Sequence, residues 1–108
     1  MTAAETWLRE NAAGAPPALL DAMLAALPPA ERSVPQALAA GALSLYRSLL
    51  DGTGGREDAL PLLAADALLT HAVQAQAELE PDAIDAFARR WGAAGALAEL
   101  AAAADRAS

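Results

Sequence analysis

All seven prolines of this 108-residue chain fall where a helix can begin or must end. Proline lacks an N–H and fixes φ, so inside a helix it removes a hydrogen bond and clashes with the preceding turn. Pro16-Pro17 and Pro28-Pro29 mark boundaries, and Pro35, Pro61 and Pro81 each fall in the first turn of a predicted helix. Between them apolar residues recur at steps of three and four, and no alternating strand pattern appears. The chain is confined to short helical rods.

Thr2 opens the first rod, with Glu5 completing a T-x-x-E capping box and Trp7, Leu8 and Ala12 forming its apolar side. The second runs from about Pro17 to Leu27, with Leu20, Met23, Leu24 and Leu27 at helical spacing. Ser33 is predicted to cap the third, with Gln36 as its capping-box partner. Val34, Leu38, Ala42, Leu45 and Leu49 line that helix, and Leu43 and Leu50 widen the stripe. After the glycine-rich DGTGG, Asp58 is predicted to cap a fourth helix running to Leu79.

Pro81 opens the fifth helix, with Asp82 and Asp85 favourable at its positive end. Ile84, Phe87, Trp91, Ala94 and Ala98 form its apolar side. Gly92 and Gly95 each cost about 1 kcal/mol relative to alanine within a helix. Either the helix breaks after ARRW or the glycines admit a close neighbour. The alanine-rich continuation to Ala104 favours the second reading.

The fourth helix is apolar nearly all round. Leu62, Leu69 and Val73 lie on one side, Leu60, Ala64, Leu68 and Ala72 on another, and Leu63 and Ala67 on a third. Such a helix is expected to be surrounded, with its last part, QAQAELE, emerging into solvent. The expected fold is therefore all-α: one domain over residues 1–108, a bundle of about five helices with helix 59–79 central.

Composition narrows function more than it names it. The chain carries 14 acidic residues against seven basic ones, all arginine, for a net charge of −7. Phosphate backbones and anionic lipid heads are held by clustered positive charge, so neither nucleic acid nor membrane is an expected partner. Absence of cysteine removes disulfides, thiolate catalysis and cysteine-ligated zinc. It agrees with a cytoplasmic address, as does a start, MTAAETWLREN, without a basic leader and apolar run. An apolar content of 56% exceeds that of ordinary soluble domains and suggests a buried contact between subunits.

Three polar residues interrupt the fourth helix. Asp66 and Thr70 lie one turn apart on one face, and Gln74 continues that line. His71, the single histidine, is rotated about 140° from Asp66, so no local Asp–His dyad is expected. A buried Asp66 would need a partner, for which Tyr46, Arg47, Arg89 and Arg90 are candidates by type. One histidine cannot supply the paired Glu-x-x-His units of a di-iron bundle. DGTGGRED lacks the Gly-Lys-Ser/Thr of a phosphate loop. ELEPDAID gathers acids at a helix start, where acids are favourable without any metal.

Leu63, Ala64, Asp66, Ala67, Leu68, Leu69, Thr70 and Ala72 resemble one internal helix of the trans-prenyl diphosphate synthases, of the pattern L-A-G-D-A-L-L-T-x-A-F. Ala65 replaces the glycine and Val73 the aromatic residue. The aspartate-rich D-D-x-x-D motifs of that family have no counterpart, since DAID at Asp82 to Asp85 lacks the leading pair. The resemblance implies a helix with the same central packing role and does not extend to prenyl transfer.

Two roles are consistent with these residues. The first is association through helix faces without catalysis, cofactor or metal, as a homodimer or with another protein. Gly41, Gly92 and Gly95 would provide close approach for it, and Arg89 and Arg90 anchors. The second is a pocket between helices three, four and five, formed by leucines with Tyr46, Asp66, Thr70 and Trp91, holding an apolar or cationic small molecule.

Overall fold

Rods cut this short bury their apolar stripes only by lying against one another. The computed structural model describes residues 1–29, 32–52, 54–92 and 95–107. These form an all-α bundle: α1 (Ala3–Asn11), α2 (Pro17–Ala26), α3 (Val34–Leu50), α4 (Ala59–Leu79), α5 (Ile84–Trp91) and α6 (Ala96–Ala107). Short 3-10 turns, Arg56–Asp58 and Pro81–Ala83, lead into α4 and α5.

Helix starts follow the prolines and, in α1, the predicted cap. Thr2 Oγ1 accepts the Glu5 N–H at 3.2 Å, and Pro17 and Pro35 occupy the first turns of α2 and α3. Two other caps differ from expectation. Ser33 makes no side-chain cap, and Gln36 is drawn away to accept the Trp91 indole N–H at 2.9 Å. Asp58 is already in helical conformation; its carboxylate turns back to accept the Gly54 N–H at 2.8 Å. Gly54, at φ +75°, takes the left-handed conformation that turn requires.

The predicted fifth helix is broken, giving α5 and α6 in place of one rod. The Gly92 N–H still reaches the Ala88 carbonyl at 2.8 Å, after which the chain turns away. A Cβ at Gly92 would lie 2.6 Å from the Ala88 oxygen, and one at Gly95 2.2 Å from that of Arg90. The glycines thus let the chain fold back over the end of α5, a use that outweighs the helical tendency of the alanines. Ala94, assigned to the apolar side of that helix, lies outside the described residues.

α3 and α4 pack along each other at the hub of the bundle, α3 touching also α1, α2 and α6, and α4 touching also α2 and α5. The inner face of α4 is Ala64, Ala65, Leu68, Ala72, Ala75 and Gln76. Opposite them, Leu38, Ala39, Ala42 and Leu43 of α3 join Trp7, Leu8, Met23, Phe87 and Trp91 in one core. Gly41 marks the tightest approach: a Cβ there would stand 3.2 Å from the Ala26 oxygen and 3.3 Å from Leu68 Cδ1.

α4 is not enclosed all round, although its sequence predicts that it should be surrounded. Leu62 is 47% exposed and Leu63 58%, with Leu60 and Val73 also in solvent. The neighbours of α4 gather on one side, and the remaining short rods do not wrap the other. Its polar end also behaves differently from expectation. Gln76 is only 2% exposed, and its amide donates to the Glu80 carbonyl at 2.6 Å. A satisfied amide can be buried where an unsatisfied one cannot.

Candidate functional site

The exposed leucines lead to the site. Where the end of α3, the start of α4 and the outer part of α6 meet, they leave an apolar groove of about 340 Å³. Tyr46, Leu49 and Leu50 form one wall, Leu62 a second, and Leu97 and Leu100 a third. Among the described residues no charged side chain lines it. Leu50 is 50% exposed, so the groove faces solvent rather than closing into a cavity.

Tyr46 joins this groove to the polar residues of α4. Its hydroxyl donates to Asp66 Oδ1, holding α3 to α4 across 20 residues of sequence. Burial, and then the bond to Asp66 with its negative charge, pushes the Tyr46 phenol up from 10 to about 12. That is far from neutrality, so Tyr46 is poorly matched to general acid–base work. Thr70 does not reach the groove; its hydroxyl donates to the Asp66 carbonyl at 3.0 Å, within α4.

The pocket expected between helices three, four and five is met only in part: α6, the far half of the predicted fifth helix, closes the leucine groove with Tyr46, but Asp66, Thr70 and Trp91 do not line it. Tyr46 and Trp91 do approach one gap, along with Leu43, Leu69 and Leu97, but it measures only about 10 Å³. Such a space holds no more than a water molecule. Trp91 is a core residue, its indole N–H satisfied by Gln36 and its ring covered by the Arg90 guanidinium at 5.1 Å. Asp66 is exposed rather than buried, and Tyr46 is its partner. His71 lies elsewhere, edge-on to Trp7 at 5.9 Å and 3.2 Å from Gln74 Oε1.

The small residues assigned to an interface serve the interior. Gly41 is buried among α2, α3 and α4, and Gly92 and Gly95 shape the α5–α6 turn. Arg89 is exposed, its Nε donating to the Asp85 carbonyl at 3.4 Å, while Arg90 lies over Trp91. Sequence reading missed Leu49, Leu50, Leu62, Leu97 and Leu100 as a group. The excess of leucine around α4 was the available signal, and it reads equally as burial or as an open face.

Among the described residues no three histidine or acidic side chains gather as metal ligands, the ELEPDAID acids included. No described helix is long and apolar enough to cross a membrane. Comparison with protein families, with curated proteins and with solved structures finds no match to this chain.

Proposed function

We propose that the protein acts by association through helix faces, without catalysis, and that the occupant of the leucine groove is a second copy of the chain. The supporting observation is the uncharged groove, together with Leu63 exposed on the same helix as its Leu62 wall. A twofold interface must be self-complementary, and this patch carries both a cleft and a side chain able to fill another's. Lining free of charge matters in a chain of net charge −7, because contact there sets no like charges against each other. An enclosed ligand site would bury most of a small molecule, whereas these half-exposed walls suit a broad partner surface. A cytoplasmic setting agrees with the lack of cysteine.

Light scattering over a concentration series tests this reading. A mass of twice 10.9 kDa at tens of micromolar, returning to monomer in Leu62→Arg, is the expected result. A monomer throughout, in the unaltered chain, would remove the proposal.

A further inference from the structure

A second groove is chemically unlike the first. It encloses about 510 Å³ between the end of α2, the middle of α3 and Trp91. Leu27, Leu43 and Trp91 give it an apolar wall, and Arg32, Ser44 and Arg47 give it a polar one. Among the described residues no acidic side chain lines it, although the chain has twice as many acids as arginines.

Two guanidiniums lining one partly apolar groove leave room there for a charge supplied from outside. The carbonyls ending α2 also face this corner, but a helix end carries only about half a charge, against two whole ones. We infer that this groove binds a small molecule with an oxyanion, carboxylate or phosphate, on an apolar body. Guanidinium forks match the paired oxygens of either group, and the Ser44 hydroxyl can donate a further hydrogen bond. The apolar body would lie on Leu27 and Leu43, next to Trp91. A volume of 510 Å³ falls within the range of about 300–1,000 Å³ typical of ligand sites. A polyanion is disfavoured by the net charge of −7, so the ligand is a small anion rather than a nucleic acid.

Titration with 2-naphthoate, 1-naphthyl phosphate and 2-naphthol, followed by the two indole N–H resonances, tests the site. Both anions, or one of them, should shift Trp91 saturably while leaving Trp7, packed against His71 elsewhere, unmoved. Whichever anion binds more tightly identifies the oxyanion. Arg32→Ala and Arg47→Ala should each weaken binding about tenfold, the scale of a charge-assisted hydrogen bond. Both side chains are exposed, so circular dichroism should show the fold intact. Leu62→Arg, which blocks the leucine groove, should leave the titration unchanged, separating this site from the association proposed above. Absence of saturable binding by both anions, equal Trp91 shifts with naphthol, or full affinity in Arg32→Ala/Arg47→Ala would overturn the assignment.

Discussion

The indole N–H of Trp91 donates to Gln36 Oε1 at 2.9 Å, tying the last turn of α5 to the first turn of α3. Trp91 is 7% exposed, so water is a poor substitute for that acceptor. Gln36→Leu should destabilise the fold by about 1–3 kcal/mol, the penalty for an orphaned buried donor. Gln36→Glu keeps an acceptor and should lose much less. Urea denaturation of both variants is the measurement, and equal stabilities would show the bond to be incidental.

Tyr46 is the single tyrosine, so its ionisation can be followed without ambiguity by the absorbance of tyrosinate. The titration should centre near pH 12 in the native protein. In Asp66→Asn it should fall only part of the way towards 10, because burial is the larger cause. A phenol raised on folding stabilises the native state fully below its unfolded value, near 10. That contribution is lost as pH rises through the folded value, so stability should decline between pH 10 and 12.

The two faces of α4 should respond oppositely to truncation. Leu68 is 0% exposed, and Leu68→Ala should cost about 2–5 kcal/mol by leaving a cavity. Leu63, 58% exposed, should cost within about 0.5 kcal/mol as Leu63→Ala, while weakening self-association. Chemical denaturation at low concentration, paired with light scattering, separates the effects.

Gly41 offers a fourth check. Gly41→Val places a branched side chain against the Ala26 carbonyl and Leu68, already 3.2 and 3.3 Å from the position of a Cβ. Overpacking of this kind typically costs about 1–3 kcal/mol. If thermal stability were unchanged and only the oligomeric state altered, Gly41 would belong to an interface instead.

Much of the architecture is legible because local chemistry settles it. Proline and the Thr2 cap act on their own turn, so the starts of α1 and α2 and the span of α4 follow from short-range rules. The misassigned caps fail where a distant partner competes: Gln36 serves Trp91, 55 residues away, and Asp58 serves the preceding loop. The exposure of α4 was hidden for a different reason. Leucine and alanine at every angle record that a helix tolerates burial, not how many neighbours exist to provide it. Asp66 illustrates the intermediate case: Tyr46 is among the partners its chemistry suggests, while its exposure depends on the open side of α4.

The fold-back at Gly92 and Gly95 has a consequence for what the molecule presents. It leaves α6 as a separate rod resting on α3 and α5, with no described side chain fully buried. Segments with so little anchorage open at a lower free energy than the body they lean on. Amides of α6 should therefore exchange with solvent well before those of α3 and α4. Because Leu97 and Leu100 lie on this rod, its seating and lifting would expose or cover the aliphatic shelf of Leu49 and Leu62 without disturbing the hub beneath.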